Sequence, residues 1–171
     1  MTLVILTGAS GAGKTSIARA FAAEHPGEAE VHFFDSIGVP TVERMIADHG
    51  APDEWQRAAT IGWLARLADR AGEDRFVLLE GQMRPSFVAE AANAAGIGDY
   101  RLILVDCDDA TRCSRLCDAR GQPELADADM LRWAAFLRAA ADRDGIAILD
   151  TSALSLAESV AFVRAAFNAS A

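Results

Sequence analysis

An apolar run, Leu3–Leu6, leads directly into Gly8-Ala9-Ser10-Gly11-Ala12-Gly13-Lys14-Thr15. This segment fits the pattern G-x-x-x-x-G-K-[ST] at every specified position. Its glycines let backbone N–H groups approach phosphate oxygens, and a helix expected over Ser16–Glu24 adds partial positive charge at its N-terminus. We therefore predict that residues 8–15, called the phosphate loop below, bind the phosphates of a nucleotide.

Two side chains of the phosphate loop have specific predicted roles. Lys14 is the only lysine among sixteen basic residues, so this position has kept a residue that arginine replaces everywhere else. We expect its compact charge to contact the β- and γ-phosphates and the Thr15 hydroxyl to bind Mg²⁺. The predicted nucleotide-binding set in this region is Gly8, Ser10, Gly11, Ala12, Gly13, Lys14, Thr15 and Ser16.

Short apolar runs separated by helix-like segments predict the fold. The runs are continuous rather than alternating, which is typical of parallel strands buried on both faces. We therefore predict an α/β fold with three layers, in which helices cover both faces of a five-stranded parallel sheet. The expected strands are Leu3–Leu6, Val31–Phe34, Phe76–Leu79, Leu102–Val105 and Ile146–Leu149.

Length and composition limit the classes of protein to which the chain can belong. A length of 171 residues predicts a single domain over 1–171, and a net charge of -9 disfavours binding to a nucleic-acid backbone. We find no apolar run of the roughly 20 residues that a membrane span needs. Because we also find no basic, signal-like N-terminus, we expect a cytoplasmic protein with reduced thiols. The oligomeric state is left open.

Two long connections leave the predicted sheet at the edge where ligands bind in open α/β folds. Residues 36–71 have room for two helices, broken near Gly50-Ala51-Pro52, and we expect them to form the wall of an acceptor site. The second connection contains Arg120-Gly121-Gln122-Pro123, and we expect a short lid over 120–129.

Two further motifs end predicted strands: Phe33-Phe34-Asp35-Ser36 and Leu78-Leu79-Glu80-Gly81-Gln82-Met83-Arg84. Together with the phosphate loop, they resemble small P-loop kinases of the nucleoside and nucleotide kinase group. The order of elements is similar to adenylate kinases, whose third strand ends in Asp-Gly-Phe-Pro-Arg. The Asp-Ser pair is similar to one in chloramphenicol phosphotransferases.

The resemblance implies roles for individual residues. Asp35 would accept the proton of the acceptor hydroxyl, Glu80 would hold a Mg²⁺-bound water or contact substrate, and Arg84 would face the acceptor. Arg115 would stack on the nucleotide base, and Arg120 would reach the phosphates as the catalytic lid arginine. Arg132 and Arg138 are weaker candidates for contacts with the transferred phosphoryl group.

We therefore predict an ATP- and Mg²⁺-dependent enzyme that transfers the γ-phosphoryl group to a hydroxyl of a small molecule. The first alternative is a nucleoside monophosphate kinase, in which Arg44, Arg57 and Arg84 would bind the acceptor phosphate. The second is a nucleotide-binding sensor with little turnover. The sequence identifies neither the acceptor nor the preference for ATP over GTP.

Overall fold

A computed structural model describes residues 2–69 and 76–168. The strands are β1 (Thr2–Thr7), β2 (Ala29–Phe33), β3 (Phe76–Glu80), β4 (Tyr100–Asp106) and β5 (Ala147–Asp150). The α-helices are α1 (Lys14–Glu24), α2 (Val42–His49), α3 (Pro52–Ala68), α4 (Pro85–Ala94), α5 (Asp109–Ser114), α6 (Ala128–Asp144) and α7 (Leu156–Asn168). The predicted strands are confirmed, with ends that differ by a few residues.

The strands form one parallel sheet in the order β2-β3-β1-β4-β5. The predicted five-stranded parallel sheet is therefore confirmed. β1 is central and pairs with β3 and β4, which explains why Leu3–Leu6 is wholly buried. Because all strands run in one direction, the loops after their carboxyl ends meet at a single edge.

Helices cover both faces of the sheet, which confirms the three-layer arrangement. On one face Phe21 of α1 and Phe167 of α7 stack in the core, with ring centroids 5.2 Å apart. On the other face Leu64 of α3 and Val88 of α4 pack against β1 and β3. Leu137 of α6 packs beside them against Leu104 of β4.

The connection between β2 and β3 contains two helices, as predicted, and they separate at Gly50 and Pro52. Gly50 has a φ of 85°, a conformation that ends α2, and Pro52 occupies the first turn of α3. The Trp63 indole of α3 donates a hydrogen bond of 3.1 Å to the carbonyl of Phe34. This bond ties α3 to the turn that follows β2. Residues 70 and 71 of the predicted acceptor wall lie outside the described residues.

In the connection between β4 and β5, two short turns lie between α5 and α6. A π-helical turn, Arg115–Ala119, follows α5, and a 3-10 turn, Pro123–Leu125, precedes α6. The Asp127 side chain caps α6 by accepting the Met130 N–H at 2.7 Å. The segment predicted as a lid, 120–129, thus runs from the end of the π-helical turn to the first residues of α6, and the 3-10 turn lies between them.

None of the helices within residues 2–69 and 76–168 combines the length and apolar character needed to cross a lipid bilayer.

Gly81 follows β3 and is required because the Phe34 ring packs against its backbone. A Cβ at this position would lie 2.9 Å from Phe34 Cγ and closer still to Phe34 Cβ. We expect Gly81→Ala to lower the free energy of unfolding by about 1–3 kcal/mol, as overpacking does in other cores. Urea denaturation measures the change.

Gly62 provides the matched control for that substitution. It lies in α3, and a Cβ there meets nothing within 4 Å. Gly62→Ala should therefore raise stability, by up to about 1 kcal/mol, because alanine has the higher helix propensity. Equal effects of the two substitutions would contradict the assigned Phe34 contact.

Candidate functional site

The candidate site lies at the edge formed by the carboxyl ends of the strands. The phosphate loop follows β1 and continues into α1, whose first residue is Lys14. Three predicted residues lie in the neighbouring connections: Asp35 follows β2, Glu80 ends β3, and Arg115 follows α5 after β4. The parallel topology thus brings together residues that are far apart in the sequence.

Side chains from the second half of the chain hold the phosphate loop from its outer side. Three consecutive carbonyls accept their hydrogen bonds: Ser10 O from Arg112 Nη1 at 2.8 Å, Gly11 O from Arg115 Nη1 at 3.4 Å, and Ala12 O from Thr151 Oγ1 at 2.9 Å. In a trans peptide the carbonyl and the following N–H point in opposite directions. The N–H groups of Gly11 and Gly13 therefore point away from these donors, as an anion-binding loop requires. The Ala12 N–H instead donates to the Ala9 carbonyl at 3.4 Å.

The glycines of the loop have conformations that their neighbours require. Gly11 and Gly13 have φ values of 81° and 99°, which residues with side chains rarely adopt. A Cβ at Gly8 would overlap the carbonyl oxygen of Val105 in β4. The loop therefore lies directly on the central strands.

Lys14 is buried at the bottom of the loop, with 8% of its surface exposed. Its ammonium group donates to the carbonyl of Ala9 at 3.1 Å. Burial lowers its pKa from 10.5 to about 8, although the carboxylates of Glu80 and Asp35 act in the opposite direction. This desolvated cation is placed to attract a phosphate group strongly.

Thr15 and Glu80 form a pair of hard oxygen ligands. The Thr15 hydroxyl donates to Glu80 Oε1 at 3.1 Å, and Glu80 is buried. Burial raises the pKa of Glu80, while the Lys14 charge and the Thr15 hydrogen bond lower it. A hydroxyl and one carboxylate fit Mg²⁺, which usually takes one or two protein ligands together with phosphate oxygens and water. No group of three or more His, Cys, Asp or Glu side chains suited to a metal occurs within 2–69 and 76–168.

Asp35 lies in a 3-10 turn, Phe34–Ile37, directly after β2. The turn is fixed by the buried Phe34 ring and by the Trp63 hydrogen bond to the Phe34 carbonyl. Asp35 itself is exposed, and its charge acts on both Lys14 and Glu80. The fold therefore presents this carboxylate to solvent beside the phosphate loop.

A cavity of about 350 Å³ opens over the phosphate loop. Its basic lining includes the predicted Arg115 and Arg120, together with Arg19. Arg115 also donates to the hydroxyl and the carbonyl of Thr151, both at 2.8 Å, so its guanidinium is anchored and braces the loop as well as lining the cavity. Ser16 lines the same cavity, as predicted for a nucleotide-binding residue.

A buried ion-pair network lies behind the loop. Arg112 is 1% exposed and donates to Asp106 Oδ1 at 2.7 Å as well as to Ser10. Arg138 donates to Asp106 Oδ2 at 2.7 Å, so this carboxylate is shared by two arginines. Arg138 is therefore engaged with Asp106 rather than placed beside the phosphate loop, and Arg132 pairs with Asp129.

A second cavity, of about 570 Å³, lies next to the loop and is called the cleft below. Gln82 connects the two, because it lines the cleft and its amide donates to Ser10 Oγ at 2.8 Å. Gln56, which also lines the cleft, donates to the Gln82 carbonyl at 2.9 Å. The described residues that line the cleft are Val42, Pro52, Asp53, Gln56, Gln82, Arg84, Leu125, Asp127, Asp129, Met130 and Trp133.

Arg84 lines this cleft, as its predicted acceptor contact requires, and is held by aromatic rings. Its guanidinium carbon lies 5.1 Å from the Trp133 ring centroid, 4.9 Å from that of Phe136 and 5.8 Å from that of Phe87. These cation–π contacts join the start of α4 to α6. Asp35 is not among the described residues that line either cavity, and its relation to the site is its electrostatic action on Lys14 and Glu80.

Sequence reasoning did not assign Arg19, Arg112, Gln82 or Thr151. Arg19 follows Thr15 by four residues, so helical periodicity alone places it on the same face of α1. Thr151 directly follows β5 and was identifiable as a residue at the carboxyl edge. No sequence signal separates the buried Arg112 from an arginine on a solvated helix face.

The pKa of Lys14 gives a pH dependence for nucleotide binding. The ammonium form attracts phosphate, and this form is present below about pH 8 and lost above it. We expect affinity for a fluorescent ATP analogue to fall as pH rises through this range, approaching about tenfold per pH unit. Lys14→Ala should bind weakly with a flat profile. An equally steep fall in that variant would assign the pH dependence to another group.

The Arg112–Asp106 pair should be important for stability. Arg112→Met leaves the Asp106 carboxylate buried beside only one arginine, so we expect a loss of about 3–5 kcal/mol in the free energy of unfolding. Arg138→Met should cost less, because Arg138 is partly exposed. Adding Asp106→Asn to Arg112→Met should recover part of the loss in chemical denaturation. No recovery would show that the ion pair is not the cause.

Comparisons with known proteins agree with this architecture. The sequence matches the AAA domain family over residues 3–142. No protein with a curated description matches it.

Solved structures of several kinases are similar to the chain at low sequence identity. A gluconokinase from Sinorhizobium meliloti 1021 has a TM-score of 0.64 and 19% identity, with 98% of this chain and 91% of that chain covered. A shikimate kinase from Acinetobacter baumannii, in complex with shikimate, gives 0.59 and 16%, with coverage of 95% and 89%. Thymidylate kinase from Candida albicans gives 0.66 and 10%, with coverage of 97% and 90%. The chain belongs to the AAA domain family and has the fold of the small P-loop kinases.

Proposed function

We propose that this chain transfers the γ-phosphoryl group of ATP to a hydroxyl group of a small molecule. The observation that carries the proposal is the convergence of three charged groups beside a cleft. Lys14 lies under the phosphate loop, Glu80 bonds to Thr15, and the exposed Asp35 acts electrostatically on both Lys14 and Glu80. A hydroxyl placed between the cleft and the loop would meet a carboxylate on one side and the phosphates on the other.

The nucleotide would bind through the loop and the basic cavity. The outward-held carbonyls leave the amides of Gly11 and Gly13, which both line the cavity over the loop, to contact phosphate oxygens. Lys14 neutralises charge at the β- and γ-phosphates, and Arg115 and Arg120 supply further positive charge from the lid side. Thr15 and Glu80 would hold Mg²⁺, which when bound supplies charge neutralisation at the phosphate oxygens.

Asp35 is the proposed general base. It orients the acceptor hydroxyl and takes its proton as the hydroxyl oxygen bonds to the γ-phosphorus. The bond between that phosphorus and the β–γ bridging oxygen breaks, and ADP leaves with the electron pair. The turn that carries Asp35 is fixed by Phe34 and Trp63, so the backbone at Asp35 is positioned before substrate arrives.

The acceptor would occupy the cleft, between the wall formed by α2 and α3 and the lid segment 120–129. We propose that this segment closes over bound substrates, because excluding water prevents simple hydrolysis of ATP. The free cysteines, Cys107, Cys113 and Cys117, and the proposed use of ATP favour the cytoplasm as the proposed location.

Two contacts weigh against a nucleoside monophosphate as acceptor. Arg44 pairs with Asp48 on α2, and Arg57 is bound by Glu90 and Glu54, so neither reaches the cleft. Of the three arginines that could bind an acceptor phosphate, only Arg84 lines the cleft. A hydroxyl acceptor, which needs a base rather than several cations, fits this arrangement better.

Mass spectrometry of a metabolite and antibiotic panel, incubated with the protein and MgATP, tests the proposal. We expect one hydroxyl compound to gain one phosphoryl group. Asp35→Asn should lower the transfer rate by about 100- to 10,000-fold, the usual contribution of a general base, with little change in nucleotide affinity. Lys14→Ala should lose both phosphoryl transfer and nucleotide binding. Asp48→Asn, on the solvent side of α2, is the matched charge control.

The other outcomes separate the alternatives. Phosphorylation of a nucleoside monophosphate that survives Asp35→Asn would replace the proposal with the first alternative. Nucleotide binding with no phosphorylated product, and with ATP hydrolysis unaffected by Asp35→Asn, would favour a sensor.

A further inference from the structure

Two cysteine thiols lie side by side on the segment that holds the phosphate loop. Cys113 belongs to α5 and is exposed, and Cys117 belongs to the π-helical turn that follows and is partly buried. Their Sγ atoms are 3.9 Å apart. The proposed phosphoryl transfer uses neither thiol. The third cysteine, Cys107, is buried, and its thiol donates to the Gly11 carbonyl instead.

The spacing of this pair is compatible with a disulfide bond. Residues four apart in a helix have Cα atoms about 6 Å apart, and a disulfide spans about 4.4–6.8 Å between its Cα atoms. A bond of about 2.05 Å requires the two sulfur atoms to approach each other by roughly 2 Å. The π-helical turn, an irregularity that occurs mostly at functional sites, begins between the two cysteines at Arg115. The backbone over 113–117 must therefore shift when the bond forms.

The residues between the two cysteines contact the phosphate loop. Arg115 donates to the Gly11 carbonyl at 3.4 Å and lines the cavity over the loop. Leu116 is fully buried, and a Cβ on Gly11 would lie 3.1 Å from its Cγ. The Arg115 carbonyl accepts the N–H of Arg120, whose side chain lines the same cavity. A shift over 113–117 is therefore transmitted to Gly11 and to both arginines of the nucleotide cavity.

We propose that Cys113 and Cys117 form a site of reversible oxidation, in which a disulfide between them weakens nucleotide binding. The oxidant would be a low-molecular-weight disulfide, and a dithiol would restore the free cysteines. Disulfides of cytoplasmic proteins are usually transient in this way. The inference goes beyond the proposed function, because it requires only that the phosphate loop binds a nucleotide and holds for any acceptor.

The reaction consists of two successive thiol–disulfide exchanges. The exposed Cys113 reacts first, because partial burial and the neighbouring thiol raise the pKa of Cys117. The Cys113 thiolate attacks one sulfur of the small disulfide, and the other sulfur leaves as a thiolate with the electron pair of the broken bond. The Cys117 thiolate then attacks Cys113 Sγ and displaces the second small thiolate. The two leaving thiolates take up the protons that the cysteines lost, so two cysteine thiols are oxidised and one disulfide is reduced to two thiols.

Peptide mapping tests the bond directly. The full chain is incubated with glutathione disulfide, its remaining thiols are alkylated, and it is digested with trypsin. Trypsin cleaves after Arg112, Arg115 and Arg120, so the proposed bond joins peptide 113–115 to peptide 116–120. Cys107 lies in a separate peptide, which begins after Arg101. We expect the linked pair to form and dithiothreitol to remove it.

Titration with a fluorescent ATP analogue measures the effect on nucleotide binding. The oxidised chain should bind the analogue about tenfold more weakly than the reduced chain, as the loss of one hydrogen bond from a charged group predicts. Dithiothreitol should restore the affinity.

The variants assign the effect to the pair. Cys113→Ser should keep the affinity of the reduced chain after the same treatment. Cys117→Ser should stop at the mixed disulfide, with glutathione retained on Cys113 and no linked peptides. The matched control is Ser114→Ala, a small substitution on an exposed neighbour that leaves both thiols in place. That control should respond to the oxidant as the unmodified chain does.

Several results would overturn the inference: no link between peptides 113–115 and 116–120, a link that contains Cys107 instead, or an oxidised chain that binds the analogue as tightly as the reduced chain. An equal loss of affinity in Cys113→Ser would assign the effect to another group and overturn it as well. Phosphoryl transfer is assayed separately under reducing conditions, so failure of this inference leaves the proposed function unaffected.

Discussion

The geometry of the candidate site depends on the hydrogen bonds that three consecutive carbonyls of the phosphate loop accept on its outer side. The donors are Arg112, Arg115 and Thr151, all from the second half of the chain. A glycine-rich loop has many conformations of similar energy, and these bonds select one in which the amides of Gly11 and Gly13 face the cavity over the loop. Because the same donors are anchored on β4, α5 and the end of β5, the loop conformation is a property of the whole sheet edge.

The same dependence explains why the chain uses arginine behind the loop and lysine beneath it. A guanidinium keeps its charge when buried and forms several bonds in one plane, so Arg112 can join Asp106 and Ser10 at once. An ammonium group is compact and sensitive to burial, which is why desolvation lowers the pKa of Lys14 to about 8. Arginine thus holds the loop in place, and lysine lies where the proposed function puts the phosphates.

The sequence was sufficient for the sheet and for much of the edge, because buried parallel strands and the phosphate loop have local patterns. Topology then brings Asp35, which follows β2, and Glu80, which ends β3, to the same edge as the phosphate loop. The Arg115 contact with Thr151 was beyond prediction, since it joins residues 36 positions apart through a loop with no periodic pattern. The contacts of Arg84 with aromatic rings could not be predicted for a similar reason. Trp133 and Phe136 belong to α6, and packing sets the rotation of this helix about its axis.

The distribution of charge in this acidic chain bears on the proposed binding of a nucleotide. The net charge of -9 repels anions at a distance, so nucleotide binding depends on the dense group of cations around the loop at short range. The cleft has a different lining, in which three carboxylates at helix N-termini stand beside one guanidinium, so it lacks the concentration of cations that the phosphates of a nucleotide need. The proposed function therefore places the phosphates at the loop and the acceptor in the cleft.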